Sequence, residues 1–118
     1  MKLDSTGLLA EDFSEINDVF SAFPEIEKAV LFGSRAKGTA KPASDVDLAL
    51  FGNQLEWTTV VRVSSLLNEE TRMPYHFDVL NFSAIENEAL REHIERVGLV
   101  IFEREASAIP NRPVAIFQ

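Results

Sequence analysis

Hydrophobic residues recur along this chain with two different periods, and the alternation between the two lays out its elements. Leu9, Phe13, Ile16, Phe20 and Phe23 fall at helical spacing, with Glu11, Asp12, Glu15 and Asp18 mainly off that stripe. This predicts an amphipathic helix over 9–23 whose aromatic side faces a core. Phe23-Pro24 ends it, because the residue before proline is pushed out of the α region. A short apolar run, Ala29-Val30-Leu31-Phe32, predicts a first strand at 28–32. The period then changes to two: Val46, Leu48 and Leu50 point to one face and Asp45 and Asp47 to the other. Tyr75-His76-Phe77-Asp78-Val79-Leu80 and Leu99-Val100-Ile101-Phe102 complete the strands.

Residues 55–71 carry a conflict. Thr58, Thr59, Val60, Val61 and Val63 are β-branched and favour a strand. Val60, Val63 and Leu67 share one helical face, and the stretch is long for a strand, so a helix is expected. A further helix over 84–96 buries Leu90, Ile94 and Val97, with Glu88–Arg91 and Glu92–Arg96 spaced to pair on its outer surface. Gly98 stops it. His93 reads as an ordinary helix residue.

The chemistry lies between the first two strands. Gly33 allows a tight turn and close approach to a ligand. Ser34 is placed to cap the short helix that follows, whose start offers unpaired N–H groups to phosphate oxygens. Asp45 and Asp47 would stand roughly 6–7 Å apart along their strand. Two such carboxylates repel, and one is driven toward its protonated form unless a cation intervenes. Hard divalent ions such as Mg²⁺ favour carboxylate together with phosphate. If the strand carrying Asp78 is a neighbour, three acids form a cluster able to hold two metal ions about 3.5–4 Å apart, the arrangement used in phosphoryl and nucleotidyl transfer. His76 would share a face with Asp78; a polar edge residue is the simpler account of it.

Composition narrows the partner class. The 118 residues suit one domain, 46% hydrophobic with nine Phe. There is no Cys, hence no disulfide frame or thiolate metal site. No apolar run is long enough to span a membrane, and Met1 to Ser5 lack the apolar core of a secretory signal, so a cytoplasmic protein is expected. Nineteen acids against eleven Lys and Arg give a formal charge of −8, which argues against holding long nucleic acid. Between Glu27 and Asp45 there is no acid, while Lys28, Arg35, Lys37 and Lys41 fall there. That local positive stretch suits a small anion such as a nucleoside triphosphate.

Gly33-Ser34, Gly38 and Ser44-Asp45-x-Asp47-Leu48, with Asp78 as a third acid, resemble the signature of the DNA polymerase beta-type nucleotidyltransferase superfamily. The short chain and the Gly-Ser-Arg-Ala-Lys-Gly run are most similar to the minimal nucleotidyltransferases (MNT), often paired with a helical HEPN protein as antitoxin and toxin. The resemblance implies an α/β (α+β) fold, a small mixed sheet of about four strands flanked by helices. It implies catalytic and metal-binding roles for Asp45, Asp47 and Asp78, with two Mg²⁺ ions or Mn²⁺ in their place. Gly33, Ser34, Arg35, Lys37 and Ser44 become nucleotide-binding candidates for ATP or another triphosphate. For Arg35 and Lys37 a solubilising role is an equal alternative. The implied partner is a HEPN protein in a homo- or hetero-oligomer, with no membrane or long nucleic acid involved. Two rival functions remain open: an antitoxin acting by contact alone, and a nucleotidyltransferase acting on a small molecule. Residues 1–103 are expected to form the domain. Residues 104–118 form a tail, whose apolar Val114-Ala115-Ile116-Phe117 end is a candidate partner anchor.

Overall fold

The aromatic stripe at the start of the chain folds as α1 (Ala10–Ser21), in a computed structural model that describes residues 3–104. The chain then runs through β1 (Lys28–Phe32), α2 (Gly33–Lys37), β2 (Val46–Phe51), α3 (Trp57–Glu69), β3 (Phe77–Asn81), α4 (Glu88–Val97) and β4 (Leu99–Glu103). Short 3₁₀ turns occupy Leu3–Thr6 and Phe82–Ala84. The four strands make one mixed sheet in the order β3-β2-β1-β4. β1 is antiparallel to both β2 and β4, whereas β2 and β3 are parallel. The span between β1 and β2, at the length limit for a parallel crossover, makes an antiparallel return that needs none. α3 supplies the crossover between the parallel pair.

The conflict over 55–71 resolves as helix because one face of α3 can be buried throughout: Thr59, Val63 and Leu67 are all buried. With Ile16 and Phe20 of α1 they cover one side of the sheet, against Ala29, Leu31, Val46, Leu48, Leu50, Phe77 and Val79. The other side is thinner. Val30, Phe32 and Ala49 pack there against Ile94 of α4 and Phe82. By alternation Asp47 and Asp78 belong to this second side, beyond the patch that α4 covers. Of the two expected surface pairs on α4, Glu92–Arg96 forms at 3.0 Å. Arg91 instead donates to the carbonyls of Phe82 and Ile85 and lies over the Phe82 ring.

Two side chains fasten the periphery. The Asn68 amide donates to the Phe77 carbonyl (3.0 Å) and accepts from the Phe77 N–H (2.8 Å), acting as a short neighbour on the outer edge of β3. Arg104 donates to the carbonyls of Phe20, Phe23 and Ile26, so it is held by the domain. The apolar end at Val114–Phe117 lies outside the described residues. Among those described, no helix is long and apolar enough to cross a membrane.

Asn68→Ala removes both bonds to Phe77 and should cost about 2 kcal/mol of stability by urea denaturation. A change below about 0.5 kcal/mol, the level of an ordinary surface substitution, would mean that the amide does not hold β3.

Candidate active site

Parallel pairing sets the register of the acids. Val46 stands opposite Phe77, and the next pair is Asp47 opposite Asp78. Asp45 lies two residues before Asp47, just ahead of β2. Asp45 and Asp78 are exposed and Asp47 is half-buried. Burial raises the pKa of Asp47, and the charges of Asp78 and Asp45 push it further up, while His93 and Arg35 pull the other way. The raised value reflects burial first and the neighbouring like charges second.

Gly33, the first residue of α2, presses against this cluster. Its φ is +75°, and a Cβ there would strike Oδ2 of Asp47. A side chain at position 33 would therefore be strained in its backbone and would displace the central acid. Ser34 does not cap α2: Phe32 occupies the cap position in extended conformation and Ser34 is the second residue of the helix. Gly38, with φ +78°, closes α2 in the left-handed conformation.

The basic stretch is redistributed by the fold. Arg35 is only 2% exposed. Its guanidinium donates to the carbonyls of Thr6 (2.8 Å), Ser44 (2.9 Å) and Pro42 (3.3 Å) and lies over the Tyr75 ring. The Tyr75 hydroxyl donates to Asp12, which also accepts the Leu9 N–H at the start of α1. Arg35 thus ties four separate segments together behind the loop that presents Asp45. This packing, with three carbonyls as its partners, makes Arg35 a structural residue in place of the phosphate contact expected of it. Lys28 also leaves the loop, its ammonium lying over Phe51. Lys37 and Lys41 stay exposed beside the turn. The Ser44 hydroxyl accepts the Lys41 N–H and closes the loop on itself.

The two histidines are placed differently. His76 is exposed, with Nδ1 at 3.7 Å from Oδ1 of Asp45. His93 is half-buried, edge-on to Phe32, and is among the groups that oppose the upward shift of Asp47. Its one sequence signal is adjacency to Ile94 on the buried stripe of α4, which is too weak to mark it.

The chemistry of the donor set suits a divalent cation: Asp47 and Asp78 on adjacent strands, Asp45 just ahead of β2, and Asp47 with its proton affinity raised by burial and then by the other two acids. As their side chains stand, no group of three or more acids or histidines among the described residues encloses a metal-sized position. Fold and acid register together define the class, a nucleotidyl-transfer site on a small mixed sheet.

The chain belongs to the polymerase beta nucleotidyltransferase family, whose description reads "Polymerase beta, Nucleotidyltransferase" and which it matches over residues 14–107. It is 36% identical over 86 residues, 72% of either chain, to a Haemophilus influenzae protein described as "Probable protein adenylyltransferase MntA". Its fold superposes on a crystal structure of a toxin–antitoxin with AMP-PNP at a TM-score of 0.65. That match has 18% identity and covers 85% of this chain and 78% of the other. A Shewanella oneidensis complex of a tri-AMPylated HEPN toxin with its MNT antitoxin matches at 0.61. There the identity is 14%, over 80% of this chain and 71% of the other. The chain is a nucleotidyltransferase, with the mixed α/β fold of that family.

The raised pKa of Asp47 carries a sign for stability. The folded protein holds this proton more tightly than the unfolded chain, so ionising Asp47 costs stability as pH rises through the folded pKa. The cost vanishes below the ordinary value of 3.8, where both states are protonated. In EDTA, Asp47→Asn should melt higher than the wild type at pH 7, the gap closing as pH falls toward 4. A gap of opposite sign, or one independent of pH, would contradict the crowding described for Asp47.

Proposed function

We propose that this chain transfers AMP from ATP to a hydroxyl of a HEPN-type partner protein and so acts as the antitoxin of a toxin–antitoxin pair. The observation that carries the reading is the placement of Asp47 opposite Asp78, with Asp45 two residues away and Gly33 against the central acid. The choice of ATP is supported by the relative described as an adenylyltransferase. The choice of acceptor is supported by the fold's likeness to an MNT antitoxin seen with an AMPylated HEPN toxin.

The acceptor hydroxyl loses its proton to solvent as its oxygen attacks the α-phosphorus, the bond between the α-phosphorus and the bridging oxygen breaks, and pyrophosphate leaves with that oxygen. Asp45, Asp47 and Asp78 would hold two Mg²⁺ ions, with Mn²⁺ as a substitute. When bound, such ions lower the pKa of the attacking hydroxyl and offset charge on the leaving group. The chain's own residues orient the substrate. Gly33 leaves room for the triphosphate at the turn, and Ser34 offers it a hydroxyl and a backbone N–H. Lys37 and Lys41 add positive potential nearby. Arg35 and Ser44 act one step back, by holding the loop that carries Asp45.

Incubation with labelled ATP, Mg²⁺ and the cognate HEPN protein should leave the partner heavier by one or more AMP groups in mass spectrometry. Asp47→Asn should lower the rate by about 10²-fold or more, since an amide cannot supply the missing negative charge. A wild-type protein that neutralises its partner without modifying it, matched by an equally effective Asp47→Asn variant, would make it a contact-only antitoxin. Turnover of a soluble small acceptor with the partner left unmodified would redirect the reading to small-molecule transfer.

A further inference from the structure

Trp57 and Val61 are 75% and 44% exposed, one turn apart on α3. Packing of the domain does not explain them, because Thr59, Val63 and Leu67 already supply the buried face of that helix. They border a groove of about 480 Å³ that extends past Val60 to Val79 of β3. Among the described residues β3 is an edge strand, paired only with β2, and Val79 immediately follows Asp78. One end of the groove therefore lies a single residue from the third acid, about 3.3 Å along the strand. The opposite sheet edge, β4, is separated from β3 by two strands.

We propose that the groove between α3 and the outer edge of β3 is where the acceptor protein docks, with Trp57 and Val61 as anchors for an apolar segment flanked by Lys or Arg. The charge pattern selects this occupant. Glu69 lines the groove and no basic side chain does. Arg62, the one base on α3, lies instead over the ring of Phe23. The chain as a whole carries a formal charge of −8. A groove with apolar walls at Trp57, Val60, Val61 and Val79 and one carboxylate, Glu69, on a chain of net negative charge attracts a basic-flanked segment during encounter and buries its apolar side chains afterwards. Large aromatics such as Trp dominate contacts of this kind. A partner docked here reaches exposed Asp78 by wrapping round the β3 edge, since the acids stand on the opposite face of the sheet from the groove.

This inference rests on the reading that the acceptor is a HEPN-type protein, and one experiment separates the two. Binding of the purified cognate HEPN protein is measured for the wild type and for Trp57→Glu, with melting temperature as a control for folding. Trp57 is the single tryptophan, so 5-fluorotryptophan placed in this chain alone reports on it by ¹⁹F NMR. The proposal predicts a shifted ¹⁹F signal in the complex and affinity roughly 30-fold weaker in Trp57→Glu, as for an interface hot spot. Its melting temperature should stay that of the wild type. Wild type and variant binding equally, with an unmoved ¹⁹F signal, would overturn this docking surface and leave the proposed activity standing. Failure of the wild type both to bind and to modify the HEPN protein would overturn the functional reading, and this inference with it.

Discussion

Everything at this site depends on two parallel strands holding like charges opposite each other. Acids directly across a strand pair repel, and the pairing of β2 with β3 puts Asp47 against Asp78 with Asp45 close by. The opposite face makes that register unavoidable. Val46, Leu48 and Leu50 of β2 and Phe77 and Val79 of β3 are all buried under α1 and α3. A slip of one residue would turn these side chains into solvent and the acids into the core. The apolar face therefore sustains an electrostatic arrangement that is unfavourable by itself.

The surrounding loop is built around the same acids. Gly33, at the start of α2, lies close against Asp47, and the absence of a Cβ is what permits the contact. Behind it, Arg35 gathers the carbonyls of Thr6, Pro42 and Ser44 and rests on Tyr75, whose hydroxyl reaches Asp12 at the start of α1. A buried arginine with carbonyl partners from distant segments is rigid and costly to disturb. The position of Asp45, the residue after Ser44, is thereby coupled to the whole near side of the domain.

Much of this was legible in the sequence because it follows local periods. The alternation of Val46, Leu48 and Leu50 with Asp45 and Asp47 marked both the strand and the face that carries the acids. The helical spacing of Val63 and Leu67 outweighed the β-branched residues around them in α3. What could not be read depended on contacts between remote segments. The charge of Arg35 looked available for phosphate, yet its carbonyl partners lie as far off as Thr6. Lys28 is a neighbour of the loop only in sequence. His93 approaches the acids only because α4 folds back over β1, and the antiparallel sense of β1 and β2 lay at the margin of what a short connection allows.

The central claim, that Asp45, Asp47 and Asp78 form a cation-completed nucleotidyl-transfer site, is tested most directly by thermal melting in EDTA, in Mg²⁺ or Mn²⁺, and in metal with ATP. A ligand that binds only the native state raises the melting temperature by mass action. The account predicts a rise with either metal, a larger rise when ATP is added, and loss of both in the Asp45→Asn, Asp47→Asn double variant. Wild-type melting that is indifferent to metal, with and without ATP, would contradict it.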